Sequence, residues 1–259
     1  MKHLEIRNVA LESIDDLIDL CIPPDRKNEP YFVEAKRAKR KWATHLLGKH
    51  ECIAKLAYLD AKPVGLIQYR LVPEERVVKI QCIFVPEKEN LRKGIGKALL
   101  KALISETTEN PATLALVTHA FRVPGRYPQN EFYIKMGFKK VTEDDPFLLY
   151  YPLKAGYVYQ PKEEKFTPQK EDFGKALIFY DPSCPFSIYF SERIKESIRE
   201  VAPNLPIRMI NMFEEQEEVK IRGHVPTCAV NGQPIKAFFL DKENFHKEVK
   251  EALAKKVDA

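Results

Sequence analysis

The chain has 259 residues, of which 44% are hydrophobic and 31% charged, with a formal net charge of +5. That length accommodates one large or two ordinary domains, and the composition is that of a soluble globular protein rather than a disordered one. The charge favours anionic ligands, but no dense Lys/Arg stripe with interleaved aromatics marks a nucleic-acid surface, and no apolar run approaches the ~20 residues a membrane span needs.

The N-terminus, MKHLEIRNVALESIDD, lacks the apolar core of a signal peptide. The cysteines (Cys21, Cys52, Cys82, Cys184 and Cys228) are odd in number and widely spaced, with no CxxC pair and no Cys/His cluster of zinc spacing. These features predict a cytoplasmic protein with no metal, no membrane partner and no nucleic-acid partner.

In chain order, His3 to Val9 is a predicted strand, and Ser13 to Cys21 a helix with Ser13 as N-cap, broken by Pro23 and Pro24. Tyr31 to Leu47 is a longer helix whose Lys and Arg residues read mainly as a solvated face. Cys52 to Leu59 and Val64 to Leu71 are strands joined by a hairpin-like turn, and Val77 to Val85 is apolar enough to lie centrally in a sheet. Then comes LRKGIGKALL, Leu91 to Leu100, in which a helix starts inside a pattern of two glycines and runs to about Thr107. A strand, a short glycine loop and a helix N-terminus together form an anion cradle: backbone N–H groups and the positive end of the helix dipole converge on one spot. Gly94 and Gly96 let a ligand approach the backbone where a Cβ would obstruct it. Thr113 to His119 follows as a strand, Gln129 to Met136 as a helix with Gly137 ending it in the left-handed conformation, and Phe138 to Val141 and Phe147 to Tyr151 as two more strands.

A composition shift marks Lys154 to Gly174, polar and without helical periodicity, with Tyr157, Tyr159 and Phe166 able to anchor it as an ordered linker or clasp. The remainder restarts with a strand at Lys175 to Tyr180, a helix at Phe186 to Val201 and a strand at Ile207 to Met212. A helix at Glu214 to Arg222, strands at Thr227 to Val230 and Ile235 to Leu240 around an Asn231-Gly232 turn, and a helix at Lys242 to Lys255 complete a β-α-β-α-β-β-α order. The expected domains are 1–152, a linker over 153–174, and 175–259.

The segment Leu91-Arg92-Lys93-Gly94-Ile95-Gly96 resembles motif A of the GCN5-related N-acetyltransferase (GNAT) family, Q/R-x-x-G-x-G/A, with Leu91 in place of the polar first residue. Phe132-Tyr133-Ile134-Lys135-Met136-Gly137-Phe138 is similar to that family's F/L-Y-x-K-x-G-F box, and the pair in this order is far more specific than either alone. The resemblance implies an α+β fold with a mixed central sheet over residues 1–152, and acetyl transfer from acetyl-CoA to a small-molecule or peptide amine. Pyrophosphate would lie on the amides from Leu91 to Gly96, with Arg92, Lys93 and Lys97 adding charge. Pantetheine would pair with the strand edge at Ile83, Phe84 and Val85, Asn130 would contact its arm, and Tyr133 would protonate the leaving sulfur. The base is not legible: the strand KIQCIFV carries no carboxylate, which leaves Glu87 just past it, His119, or a water chain. Arg122 and Arg126 hint at a carboxylate-bearing acceptor.

In the second half, Asp181-Pro182-Ser183-Cys184-Pro185-Phe186-Ser187 resembles the active-site turn of a thioredoxin-like domain in its Cys-x-x-Ser form. Val225-Pro226-Thr227 falls where that fold keeps a cis-proline. A thiol at a helix N-terminus makes Cys184 the expected reactive cysteine, which Cys228 either approaches in space or, by its strand position, faces away from; a thiol-dependent redox or metal/metalloid-handling role, with the first half as an acyl-CoA-binding scaffold, is the alternative to acetyl transfer. The order of the two halves is similar to that of the bacterial YoaP-type acetyltransferases.

Overall fold

The computed structural model describes residues 3–49, 51–121, 127–162 and 165–255. Two compact units result: one comprises Met1–Pro23 and Ala43–Pro161, the other Pro24–Trp42 and Lys162–Ala259. The division expected from sequence is contiguous; the units are not, because Pro24–Trp42 packs within the second. Among the described residues, no helix is long and apolar enough to cross a membrane.

The first unit is built on a seven-stranded mixed sheet with strand order β1-β2-β3-β4-β5-β7-β6. Its strands are β1 (Leu4–Asn8), β2 (Ala54–Leu59), β3 (Lys62–Val72), β4 (Val77–Phe84), β5 (Ala115–His119), β6 (Lys139–Lys140) and β7 (Leu148–Pro152). Asp60 and Ala61, both at positive φ, make the two-residue turn between β2 and β3. Every pairing is antiparallel except β4 with β5, because helix α3 (Ile95–Glu109) carries the chain back across the sheet between them. Along α3 the residues Ile95, Leu99, Leu103 and Thr107 recur every fourth position and are buried. Ile95, Leu99 and Leu103 join Ile67, Ile80, Leu116 and Leu149 in the core on one sheet face, each full Leu or Ile burial contributing ~2 kcal/mol. Helix α1 (Ile14–Cys21) starts at Ser13, but the Ser13 hydroxyl turns back to Ala10, accepting from its N–H and donating to its carbonyl, so the expected side-chain cap is not made.

Tyr58, Tyr69, Tyr133 and Tyr159 all have pKa values raised first by burial, and Asp16, Glu106 and Glu75 add to the shift at Tyr58, Tyr69 and Tyr159. A phenol that ionises later in the folded state than in the unfolded one stabilises the fold fully below the unfolded value, ~10, and loses that contribution as pH rises beyond it. Urea midpoints are therefore expected to hold steady from pH 7 to 9 and fall steeply above pH ~10; a flat profile to pH 11 contradicts these burials.

The second unit holds a four-stranded sheet in the order β11-β10-β8-β9. Strands β8 (Ala176–Tyr180) and β9 (Ile207–Asn211) are parallel, joined through helix α5 (Pro185–Val201). Strand β10 (Cys228–Val230) runs antiparallel to β8 and to β11 (Gln233–Pro234), and helices α6 (Gln216–Lys220) and α7 (Lys242–Ala254) complete the order. Asn231 and Gly232 form the hairpin turn at positive φ. The strand expected over Ile235 to Leu240 does not form: after Pro234 the N–H groups of Lys236 and Ala237 donate to Glu248 Oε2, at 2.6 and 3.1 Å, instead of to a neighbouring strand.

The piece of this unit that comes from the first half of the chain, Pro24–Trp42, includes helix α2 (Pro30–Gly48) as far as Trp42. Phe32, Ala35, Lys39 and Trp42 lie at helical spacing and are all buried, so the solvated-face reading fails at Lys39. Phe32 packs edge-on to Phe186 at 5.3 Å and stacks with Tyr189 at 5.5 Å between ring centroids, both on α5. Arg26 lies over the Phe32 and Tyr189 rings, and the Tyr31 hydroxyl donates to Glu196 Oε1 at 2.7 Å.

The Lys154–Gly174 segment is held at both ends. Tyr159 is buried beside Val77 and Tyr150 in the first unit and donates to Glu75 Oε2 at 2.5 Å. In the second unit Phe166 bridges Gly223, and Arg222, fully buried, grips Asp172 with two bonds of 2.8 and 2.6 Å.

Candidate active site

The loop after β4 leads through a short turn at Lys88–Asn90 to Gly94, whose φ of 81° is a left-handed conformation that favours glycine. Gly94 is the N-cap of α3 and brings no side chain to the first turn, so the N-terminal amides there are not satisfied by a cap. Arg92 also takes positive φ, and Leu91, Arg92, Lys93 and Lys97 are all exposed around this terminus. Lys93 Nζ donates to the buried Asn90 Oδ1 at 3.4 Å, while Ile95 is sunk in the core and fixes the start of the helix. A Cβ built on Gly94 would meet nothing within 4 Å, and one on Gly96 would meet the Phe132 ring only at an ordinary 3.7 Å. Neither glycine is demanded by neighbouring protein atoms. Gly65 on β3 is: its Cβ would come within 3.1 Å of Ile95 Cγ2 and of Val85 Cγ2, so this glycine lets α3 begin hard against the sheet.

Strand β4 changes partners at the same level. Its register with β3 slips between Gln68 and Tyr69, so that Gln81 is the extra residue of a bulge. Among the described residues its parallel pairing with β5 runs only from Val77–Ala115 to Ile80–Thr118. Beyond that rung β4 continues through Ile83 to Phe84 on β3 alone, and the two strands diverge. The Gln129 side chain, at the start of helix α4 (Gln129–Lys135), reaches into the divergence: its Nε2 donates to Ile83 O at 3.3 Å, and its Oε1 accepts from Phe121 N at 3.4 Å.

Tyr133 lies on α4, 1% exposed, with its ring against Phe138 at 4.9 Å. The Thr118 hydroxyl donates to Ile80 O at 3.2 Å and is also hydrogen-bonded to the Tyr133 hydroxyl. The phenol is therefore tied to the last rung before the strands part. Burial pushes its pKa up, and the Thr118 bond opposes that only in part, so it stays protonated through neutral pH. Half-buried Cys82 is near enough to add to the shift. Asn130, next to Gln129, has its Oδ1 buried with no hydrogen-bond donor among the described residues, the kind of unsatisfied acceptor a ligand N–H can answer. Gly137 ends α4 at φ 95° as expected.

The two base candidates lie apart. Strand alternation puts His119 on the face opposite Thr118, exposed, with Nε2 3.1 Å from Asp145 Oδ2. Burial alone would raise the Asp145 pKa, but the N–H of Phe147 and the adjacent His119 hold it below the usual carboxylate value. Glu87 is exposed in the loop between β4 and α3. Arg122 and Arg126 lie outside the described residues. Three contributors were not singled out from sequence: Thr118, Gln129 and Gly65. The signals were a hydroxyl on a core-facing position of a predicted strand, an amide opening the predicted helix, and a lone glycine inside a strand.

In the second unit Cys184 is the exposed N-cap of α5, with Pro185 at the first helical position. Ser187 Oγ accepts from Asp181 N at 2.9 Å, closing the turn that carries the cysteine. Cys228 is packed among Ile178, Ile194 and Val249, and burial pushes its pKa up to about 12, away from a reactive thiolate. The peptide bond before Pro226 is trans, contrary to the expectation of a cis bond.

Residues 11–138 match the family model described as Acetyltransferase (GNAT) family. A curated relative, an uncharacterised N-acetyltransferase of Methanocaldococcus jannaschii, is 24% identical over 145 residues, 54% of this chain. The match spans 62% of that relative's length. Among solved structures, the PaiA N-acetyltransferase of Thermoplasma acidophilum in complex with coenzyme A is 19% identical, over 58% of this chain and 99% of that one, with a TM-score of 0.45. A GNAT-family acetyltransferase of Staphylococcus aureus Mu50 is 19% identical over 59% of this chain and 100% of its own, also with a TM-score of 0.45. The region matched by that family model, from 11 to 138, carries both the glycine pattern at the start of α3 and Tyr133.

Proposed function

We propose that the first unit transfers an acetyl group from acetyl-CoA to an amine by direct attack within a ternary complex. The observation that carries this reading is the position of Tyr133, joined through Thr118 to Ile80 at the rung where β4 and β5 part. The pyrophosphate rests on the amides at the start of α3, with Arg92, Lys93 and Lys97 around it. Affinity there depends on backbone N–H groups and lysines, since Leu91 offers no polar side chain. The pantetheine arm enters the divergence along Ile83, Phe84 and Val85, where it replaces the Gln129 amide and gives Asn130 Oδ1 its missing donor. The amine nitrogen attacks the thioester carbon; the C–N bond forms, the C–S bond breaks, and the electron pair leaves on sulfur. Tyr133 gives its proton to that sulfur and is reprotonated from solvent, and the proton lost by the amine goes to His119, which Asp145 orients. The β11-β10-β8-β9 order, with β8 and β9 parallel, supports reading the second unit as a thioredoxin-like module of the kind found in YoaP-type acetyltransferases.

Gly96→Ala tests the ligand site separately from the fold. Because the protein leaves ordinary space for that methyl, the thermal midpoint is expected to stay within ~2 °C, while CoA binding by calorimetry weakens at least about fivefold as the methyl meets the ligand. Unchanged CoA affinity would place the ligand elsewhere.

A further inference from the structure

Arg70 on β3 and Lys79 on β4 are directly opposite each other in the antiparallel register. Both are exposed, and among the described residues neither forms an ion pair. Two like charges facing each other across a ladder cost stability. Lys79 registers the cost: partial burial lowers its pKa first and Arg70 lowers it further, with nearby Glu75 offsetting this only in part. Glu75 is itself engaged by the Tyr159 hydroxyl.

The location gives the pair a use. Val78 and Ile80 point into the core under α3, so by alternation Lys79 lies on the other face, the face of Val72, Val77 and Val117. Arg70 shares that face, between Val72 and Gln68, and the buried Gln68 donates to Gln81 Oε1 of the bulge at 3.3 Å. One rung beyond the pair, at Ile80–Thr118, β4 and β5 part. The phosphate cradle and Tyr133 occupy the α3 face, so the donor thioester reaches the divergence from there. An amine that attacks its carbonyl comes from the opposite face and passes the two cations.

We propose that Arg70 and Lys79 bind a carboxylate on the acceptor, the guanidinium gripping both oxygens and the ammonium adding a point charge, so that the acceptor is an amine that also carries a carboxylate. The proposal rests on the acetyltransferase reading above. The test is CoA release from acetyl-CoA with matched acceptors, amino acids and short peptides each supplied as free carboxylate and as carboxamide. The carboxylate members are expected to be preferred, and Arg70→Gln or Lys79→Gln to cut the carboxylate-to-carboxamide ratio of kcat/KM by about tenfold to a hundredfold. The same variants are expected to keep or raise the thermal midpoint, because one of two repelling charges is gone; a residue with a structural role would lower it. Acetylation of both members equally well, or a ratio unmoved by either substitution, overturns the carboxylate site and leaves acetyl transfer standing. CoA release with no acceptor of either set overturns the acetyltransferase reading, and this proposal with it.

Discussion

Tyr133→Phe is expected to lower kcat for acetyl transfer by about a hundredfold to ten-thousandfold, the range of a lost general acid, while CoA affinity changes less than about threefold. The ring is buried against Phe132 and Phe138, so the variant retains its packing and loses only the hydroxyl that bonds Thr118. Thr118→Val, which leaves Tyr133 its proton but removes the oxygen that aims it, is expected to show a smaller loss in kcat of the same kind. A Tyr133→Phe enzyme with wild-type turnover would remove the phenol from the mechanism. Circular dichroism and the thermal midpoint distinguish lost chemistry from lost fold.

Arg222→Met is expected to destabilise the second unit by about 3–5 kcal/mol, read as an earlier urea transition of the full chain. The substitution leaves Asp172, 1% exposed, with a carboxylate that keeps the Gln169 N–H but loses both guanidinium bonds. Arg222 also donates to Glu218 O and Glu218 Oε2, at 2.8 and 2.9 Å, so one side chain fixes the segment before β8 and the end of α6 together. Burial alone would raise the Asp172 pKa; Arg222 and the Gln169 N–H more than reverse that, and hold the group below the usual carboxylate value. The contribution is therefore present above the unfolded carboxylate value, ~4, and lost as pH falls through the lower folded one. Replacing both partners, Arg222→Met with Asp172→Leu, is expected to recover much of the loss, because no buried charge is then stranded. A single variant as stable as wild type would show that the pair does not hold this segment.

The start of α3 was legible because its signal is local: two glycines, flanking cations and the first turn of the helix are adjacent in sequence. The short helix that carries Tyr133, ended by Gly137 at positive φ, was legible for the same reason. The bond from Thr118 to Ile80 was not, because it depends on which β5 residue falls beside Ile80 across 38 positions, and on the ladder stopping there. The bulge at Gln81 had no sequence signature, since one extra residue in a strand leaves the apolar pattern almost intact. The placement of Pro24–Trp42 was hidden for a different reason. The stripe Phe32, Ala35, Lys39, Trp42 has helical spacing, but a lysine interrupts it, and periodicity tells that a face is covered without telling what covers it. The strand expected over Ile235 to Leu240 failed because Glu248, on α7, takes the N–H groups that a ladder would have used.

The most direct test of the central claim is an experimental structure with CoA bound. The pyrophosphate is predicted on the amides of Ile95, Gly96 and Lys97, the pantetheine between β4 and β5 past Ile80–Thr118, and the sulfur within hydrogen-bond reach of Tyr133 Oη, ~3.5 Å for a sulfur acceptor. A pyrophosphate seated away from the start of α3, or a sulfur remote from Tyr133, would contradict the account.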